Sequence, residues 1–191
     1  MPQSWIRGDS SVGGTSGAST GSRWRPPTGA LPAGVRAGLL GRRAHGQLAG
    51  RADHVDARDL APAAAEQTTA RLRTAGMGDR VSVSQWDMRD PFPDARYDLV
   101  VFSEVLYYLE ADVAAHLMAQ VVEHLDDDGH VVVAHWQTRV PDYPLGGAEA
   151  QQIACMTAGL TVLAAFHDDD FSLDVLARTG AVSVATTTGL R

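Results

Sequence analysis

Three acidic side chains in this sequence each lie two residues beyond the end of a short apolar run. They are Asp59, Asp87 and Glu104. In an open parallel sheet, ligands bind outside the carboxyl ends of the strands, so acids at these positions can reach one pocket. A carboxylate there can accept hydroxyl or amino groups of a ligand, or hold an ammonium group. The spacing therefore predicts that residues 59, 87 and 104 converge at one rim of a sheet.

Asp59 and Asp87 also have structural interpretations. Asp59 precedes Pro62 near the predicted start of a helix, where Asp is a common cap; alternatively, its carboxylate accepts the two hydroxyls of an adenosine ribose. Asp87 accepts the amino group of adenine while Met88 covers the ring, or it is a turn acid beside a core Trp86. For either acid taken alone, the sequence favours the structural interpretation.

Residues 97–109, YDLVVFSEVLYYL, are the most informative because a buried strand runs into Ser103 and Glu104 and then into two tyrosines. At the mouth of a pocket, Glu104 can contact an ammonium group or position an attacking nucleophile. Tyr107 or Tyr108 can wall a donor methyl group. Ordinary packing is the favoured interpretation for one of the two tyrosines.

His135 and Trp136 end another apolar run. Histidine accepts a proton near neutral pH, so His135 is a candidate general base, although a histidine at a strand end is more often structural. Asp142 and Tyr143 follow in a loop flanked by prolines, and such loops often hold substrate. The acidic clusters at 126–129 and 167–170 lack the spacing of known metal sites, so no metal is predicted.

The apolar runs alternate with amphipathic stretches, which is typical of a parallel sheet covered by helices. The predicted strands are 52–57, Val81–Gln85, 97–102 and 130–136, and the predicted helices are Pro62–Thr74, 111–125 and about 148–158. Residues 161–166 and 171–177 flank an acidic turn, which predicts an antiparallel C-terminal hairpin. The fold class is therefore α/β, with a doubly wound, mostly parallel sheet.

Composition limits the class of protein. The 191 residues suit one domain, and no apolar run reaches the roughly eighteen residues that span a membrane. A net charge of −7 argues against general binding to nucleic acid, so the expected partner is a small molecule. The N-terminus has no apolar stretch with a cleavage site, which predicts a cytoplasmic protein with Cys155 as a reduced thiol. No oligomeric state is predicted.

The N-terminal region differs in composition from the rest. Residues 1–50 contain six Arg, one acidic residue and eleven of the nineteen glycines. Its Gly/Ser/Thr-rich stretch has no periodic apolar pattern and cannot offset its ordering entropy by burial. The sequence therefore predicts an atypical, largely disordered segment at 1–45 and a domain at 46–191.

Four segments, in order, resemble class I S-adenosylmethionine (SAM)-dependent methyltransferases over residues 46–186. They are ARDLAPAA, SQWDM, YDLVVFSEVLYYL and DDDGHVVVAHW. The combination SEVLYYL, VVAHW, DYPLGG and HDDDFSLDVL is most similar to the nodulation protein S group, whose namesakes methylate the amine of a deacetylated chito-oligosaccharide. The resemblance implies a Rossmann-like methyltransferase fold, SAM as the cofactor, and an amine or amino-sugar acceptor.

The resemblance also implies roles for individual residues. Asp59 with Leu60 would bind ribose, Asp87 with Met88 would bind adenine, and Ser103, Glu104 and Val105 would lie beside the methionine portion. Glu104 or His135 would take the proton that an amine must lose. The acceptor would lie against Tyr107, Tyr108, Trp136, Asp142 and Tyr143.

The sequence departs from the family upstream of residue 46. Members carry an apolar first strand and a glycine-rich loop there, whereas residues 30–45 read ALPAGVRAGLLGRRAH, so both features are expected to be degraded or absent. A permitted codon choice for these residues, read one base later, spells RYRRAFEPGCSVGALT. That string is not in this chain, but it resembles the missing strand and loop. We therefore hypothesise a frameshift restored near His45, which resequencing the coding DNA tests.

Two other functions remain open. A chain without the loop is expected to bind SAM weakly or not at all, which makes a non-catalytic pseudo-methyltransferase or truncated fragment the alternative to an active enzyme. A nicotinamide-dependent oxidoreductase is disfavoured because no GxGxxG follows a strand and because the terminal hairpin fits a methyltransferase better.

Overall fold

A seven-stranded sheet forms the centre of the protein. The computed structural model describes residues 36–40, 52–76 and 78–181. Strands β1 to β7 span Arg36–Leu40, His54–Asp59, Val81–Gln85, Tyr97–Ser103, Leu125–Trp136, Leu160–His167 and Phe171–Arg178. Helices α1 to α3 span Pro62–Thr74, Ala111–His124 and Gly147–Cys155, and 3-10 turns span Gly78–Arg80 and Leu106–Tyr108. Among these described residues, no helix combines the length and the apolar character needed to cross a bilayer.

The strand order is β3-β2-β1-β4-β5-β7-β6. Strands β1 to β5 pair in parallel, and β7 inserts antiparallel between β5 and β6. The winding direction reverses between β1 and β4, and ligands bind at such a switch point in doubly wound sheets. The predicted α/β class, the mostly parallel sheet and the antiparallel C-terminal hairpin are confirmed.

The apolar core lies on both faces of the sheet. Val100 and Phe102 of β4 pack on one face with Leu117 of α2, whereas Val101 packs on the other face with Leu72 of α1. Successive side chains of a strand point to opposite faces, so a strand covered on both sides must be apolar at nearly every position. This explains the continuous apolar sequence of β4.

The position of the first strand is occupied. Arg36–Leu40 forms β1, which pairs with β2 on one side and with β4 on the other. The strand is therefore not absent, because backbone pairing with two neighbours requires no particular side chains. The expected site of the glycine-rich loop and most of the predicted disordered segment at 1–45 lie outside the described residues.

Strand β5 begins earlier than predicted. It starts at Leu125, and its register with β4 shifts near this end. The acids at 126–128, which follow the predicted helix 111–125, belong to this irregular start of the strand. Arg96 stabilises it by donating to the Asp126 carboxylate (2.8 Å) and to the Leu125 carbonyl (2.9 Å).

Helix α3 starts in close contact with the end of β5. A Cβ at Gly147 would overlap the backbone carbonyl of Trp136, which cannot move without disturbing the strand. Gly147→Ala is therefore expected to destabilise the fold by about 1–3 kcal/mol, the usual cost of overpacking. Thermal unfolding should show a melting temperature several degrees below that of the wild type, at about 2–4 °C per kcal/mol.

Gly78→Ala provides the matched control. A Cβ at Gly78 meets the flexible side chain of Arg73 at 3.3 Å, which can give way. Equal melting temperatures for the two variants would contradict the proposed close contact at Gly147.

Candidate functional site

A cavity of about 530 Å³ opens at the carboxyl ends of β2, β3 and β4. Its walls are formed by Arg58, Asp59, Leu60, Ala61, Trp86, Asp87, Met88, Arg89, Ser103, Glu104, Val105, Tyr108 and Leu109. The structure thus brings together the three acids whose spacing suggested a shared pocket. A volume of this size is typical of small-molecule and cofactor sites.

Asp59 is positioned by the turn that joins β2 to α1. Its Oδ1 accepts a hydrogen bond from the Ala61 backbone N–H (2.9 Å), and its backbone carbonyl accepts one from Trp86 N–H (3.1 Å). Ala61, rather than Asp59, is the capping residue of α1. The acid therefore closes a local turn ahead of the helix, with its carboxylate on the cavity wall.

Asp87 lies in the turn after β3. Its Oδ1 accepts hydrogen bonds from the backbone N–H of Arg89 (2.9 Å) and from the Arg89 guanidinium (3.3 Å). Trp86 is fixed beside it because its indole N–H donates to the Pro91 carbonyl (3.2 Å). Trp86 and Met88, the two sequence neighbours of Asp87, therefore contribute apolar surface to the cavity wall.

Glu104 combines an unusual backbone with an ordered side chain. Its φ of 58° lies in the left-handed region, which costs a non-glycine residue about 1–2 kcal/mol. Its carboxylate accepts hydrogen bonds from the Trp136 backbone N–H (2.9 Å) and the Tyr107 hydroxyl (2.8 Å), one at each oxygen. Each carboxylate oxygen can accept more than one hydrogen bond, so Glu104 can also bind a ligand donor. Strain of this kind concentrates at functional sites.

Three tyrosines form a cluster beside Glu104. The rings of Tyr107 and Tyr143 are stacked at 5.2 Å, and Tyr108 meets Tyr143 edge-on at 4.6 Å. Burial and then the hydrogen bond to Glu104 raise the pKa of Tyr107, so its hydroxyl stays protonated and donates to the carboxylate. Burial also raises the pKa of Tyr108. Tyr107 and Tyr108 therefore keep their hydroxyl protons, and the Glu104 carboxylate accepts the hydrogen bond from Tyr107.

The remaining candidate substrate residues divide into two groups. Trp136 lies with Tyr107 and Tyr143 around a second, smaller cavity of about 100 Å³, and its side chain is half exposed. Asp142 is exposed in the following loop and lines neither of these cavities. Trp136 and the three tyrosines thus lie close together, whereas Asp142 is not part of this group.

His135 is fully buried behind the cavity wall. Its Nε2 accepts a hydrogen bond from the Leu106 backbone N–H (3.3 Å), and its Nδ1 is bonded to Gln151 (2.8 Å). Burial lowers the pKa of the imidazole, which keeps the ring neutral. With both nitrogens engaged and no exposed surface, His135 cannot receive a substrate proton, which argues against its predicted role as a general base.

Several cavity residues were missed by the sequence analysis. Arg58, Arg89 and Leu109 line the cavity, and so does Trp86, which was interpreted as a core residue. Arg58 is held by a hydrogen bond to Ser84 on the neighbouring strand (3.0 Å). Each of the four is adjacent in sequence to a predicted site residue or segment. Their closeness to a predicted strand end was therefore the sequence feature that could have identified them as cavity residues.

The acidic turn between β6 and β7 is a local structure. Asp168 accepts hydrogen bonds from the backbone N–H groups of Asp170 (3.0 Å) and Phe171 (2.7 Å). His167 contacts Asp174 instead (2.9 Å). Within the described ranges, no group of three or more His, Cys, Asp or Glu side chains is arranged to hold a metal ion.

Comparison with known families and sequences gives one match. Residues 31–129, just over half of the chain and including β1, match the model of a methyltransferase domain family. No curated protein sequence matches the chain significantly.

Solved structures share the fold. A protein from Pseudomonas syringae assigned as a methyltransferase is 27% identical, with a TM-score of 0.62 over 78% of this chain and 92% of that one. The N-methyltransferase NodS from Bradyrhizobium japonicum WM9 is 22% identical, with a TM-score of 0.65 over 78% and 87%. The glycopeptide N-methyltransferase MtfA is 18% identical, with a TM-score of 0.60 over 75% and 82%. At the identities of the last two, the likeness shows the fold alone.

Proposed function

This chain belongs to the methyltransferase domain family, and from that premise we propose that it methylates an amine nitrogen of a small molecule. The proposal depends on one observation above the others. A carboxylate, Glu104, is held between Tyr107 and Trp136 at the end of a cavity whose opposite side carries two further acids.

The large cavity suits SAM, the cofactor of the family. Asp59 is assigned to the ribose hydroxyls and Asp87 to the amino group of adenine, because a carboxylate accepts hydrogen bonds from both. Trp86 and Met88 offer the apolar surface that a planar base requires. Ser103, Glu104 and Val105 then lie toward the methionine end, and Leu60, which is 56% exposed, lies at the rim near the ribose.

The acceptor is assigned from charge and aromatic surface. An amine in its ammonium form is attracted both to a carboxylate and to aromatic faces, and in its neutral form it still donates an N–H hydrogen bond. Glu104 supplies the carboxylate, and Tyr108 and Trp136 are exposed aromatic side chains near it. The half-exposed indole also gives an amino sugar a flat surface. The fold shared with two N-methyltransferases supports this assignment.

Methyl transfer from SAM requires no covalent bond between the protein and either reactant. SAM supplies an electrophilic methyl group, and the protein holds the acceptor nitrogen in line with it and excludes water. An ammonium group has no lone pair, so it must lose a proton before transfer. Glu104 can hold the amine by accepting one N–H hydrogen bond and can receive that proton at a carboxylate oxygen. His135 cannot, because Leu106 occupies its lone pair.

A non-catalytic relative is the alternative. The sequence that follows β1, GRRAHGQLAGR, lacks the glycine pattern that lets backbone approach a cofactor closely. If this segment leaves the cavity open to water, SAM binding is weak. Calorimetric titration with S-adenosylhomocysteine separates the two, since a non-catalytic relative without a formed pocket should release no heat of binding.

Methyl transfer tests the proposed function directly. The full chain is incubated with SAM labelled in its methyl group and with a glucosamine oligosaccharide bearing a free amine. We expect label in the amine-bearing oligosaccharide and none in its fully N-acetylated form, which retains every hydroxyl. Equal labelling of both compounds would show a hydroxyl acceptor, and S-adenosylhomocysteine binding without labelling of either would exclude this amine class.

A further inference from the structure

We propose that Asp174 and Gln151 are positioning residues that fix the tautomer of His135 and thereby hold the turn carrying Tyr107 and Tyr108. The importance of that turn for catalysis rests on the proposed function above, whereas the hydrogen-bond arrangement is independent of that function.

A buried chain of hydrogen bonds connects β7 to the cavity wall. Asp174 and Gln151 are joined at 2.5 Å between Oδ2 and Nε2, and Gln151 Oε1 lies 2.8 Å from His135 Nδ1. His135 Nε2 lies 3.3 Å from the Leu106 backbone nitrogen. The three side chains are 1%, 5% and 0% exposed, so water cannot replace any of these partners.

The direction of each hydrogen bond follows from two groups that can only accept. They are the Asp174 carboxylate and the Val133 backbone carbonyl (3.1 Å), so Gln151 must turn its NH₂ group toward both. The amide oxygen of Gln151 then faces His135, which must carry its proton on Nδ1 to donate. Nε2 is left with a lone pair, and that lone pair accepts the Leu106 N–H.

The acceptor at Nε2 matters because of where Leu106 lies. It begins the 3-10 turn Leu106–Tyr108, and the first N–H groups of a helical turn have no partner within the turn. His135 therefore closes the start of this turn, and its ring also packs edge-on against Tyr107 at 5.5 Å. Tyr107 in turn holds Glu104. The tautomer thus acts on the acceptor site through backbone and aromatic contacts.

The other groups around Asp174 agree with this direction. Cys155 Sγ donates to Oδ2 (3.3 Å), and burial followed by this bond raises the pKa of the thiol to about 12, so it remains a donor. His167 Nε2 lies 2.9 Å from Oδ1. Among the hydrogen bonds of the described side chains, neither residue is bonded to the Gln151 amide, so neither sets its orientation.

Gln151→Leu tests the proposal because it removes the acceptor beside Nδ1 and keeps a side chain of similar size. A buried Nδ1–H group without an acceptor is unfavourable, so the ring loses the contact that holds its proton on Nδ1. A proton on Nε2 would face the Leu106 N–H and release the turn. We expect ¹⁵N NMR of the protein without ligands to report the Nδ1–H tautomer for wild type and loss of it in the variant. The KM for the acceptor should rise by about tenfold, with the affinity for S-adenosylhomocysteine unchanged.

Two further variants separate tautomer from stability. The double variant Asp174→Asn with Gln151→Glu places an acceptor-only group beside Nδ1, with the asparagine NH₂ as its donor, and should keep the Nδ1–H tautomer. Cys155→Ala removes a donor to Asp174 without affecting Gln151 and should keep both the tautomer and the acceptor KM.

Each arm can overturn the proposal. An Nε2–H tautomer in wild-type protein would do so even if every variant failed to fold. An Nδ1–H tautomer that survives Gln151→Leu would contradict the fixing role, and a changed tautomer with an unchanged acceptor KM would contradict the positioning role. Absence of methyl transfer in wild type would instead count against the proposed function, and the NMR result would stand.

Discussion

Replacing Asp59 with alanine is expected to weaken the binding of S-adenosylhomocysteine by about 10- to 100-fold. A hydrogen bond to a charged group contributes about 1.5–3 kcal/mol, and each 1.4 kcal/mol is a factor of ten in affinity. The carboxylate is assigned to two ribose hydroxyls at the cavity wall, so its removal leaves both without their acceptor. Isothermal titration calorimetry of the purified chain measures the loss directly.

Asp59→Asn controls for the turn. The alanine variant also removes the acceptor for the Ala61 N–H, whereas the asparagine oxygen keeps that hydrogen bond. Asparagine offers an NH₂ group in place of the second carboxylate oxygen, so it cannot serve two hydroxyls and the turn together. The asparagine variant should melt like wild type and still bind weakly. Wild-type affinity in this variant would rule out the ribose assignment.

Glu104→Gln is expected to lower kcat/KM for an amine acceptor by about 100-fold, again from the strength of charged hydrogen bonds. The amide oxygen can still accept the Trp136 N–H, and the Tyr107 hydroxyl can turn to accept from the new NH₂ group. The shape of the site is therefore kept, while its negative charge and its capacity to take a proton are lost. Steady-state kinetics with the labelled methyl donor provide the measurement.

The affinity for S-adenosylhomocysteine should fall by a smaller factor than kcat/KM in Glu104→Gln, because Glu104 lies at the methionine end of the cavity but takes a proton only from the acceptor. Glu110→Gln is the matched control, because Glu110 is an exposed acid just beyond the cavity and its loss removes the same charge. If the two variants have the same activity, Glu104 has no special role in acceptor binding or proton transfer.

Much of the fold was predictable because its signals are local. Helix α1 spans the predicted residues, and Pro62 suits the first turn of a helix. Strand β3 also spans its predicted residues. The convergence of Asp59, Asp87 and Glu104 followed from parallel topology, since parallel strands place their carboxyl ends at one edge.

Other features depend on contacts between residues distant in sequence. The burial of His135 is set by Gln151 and Leu106, which lie 16 and 29 positions away, and no local pattern reports such partners. The position of Glu104 depends similarly on distant partners: its carboxylate accepts from Trp136, 32 positions away, and its backbone N–H donates to the Ala134 carbonyl, 30 positions away. Strand β1 was missed because its position is defined by pairing with two neighbours rather than by its own apolar pattern.

The left-handed backbone at position 104 has a consequence for substitution by glycine at this position. Glycine adopts this conformation at no steric cost, so exchanging Glu104 for glycine relieves strain while it deletes the carboxylate. Glu104→Gly should therefore leave the local backbone at least as comfortable as it is in the wild type. Any loss of ligand binding in that variant would report on the missing carboxylate rather than on the conformation of the chain.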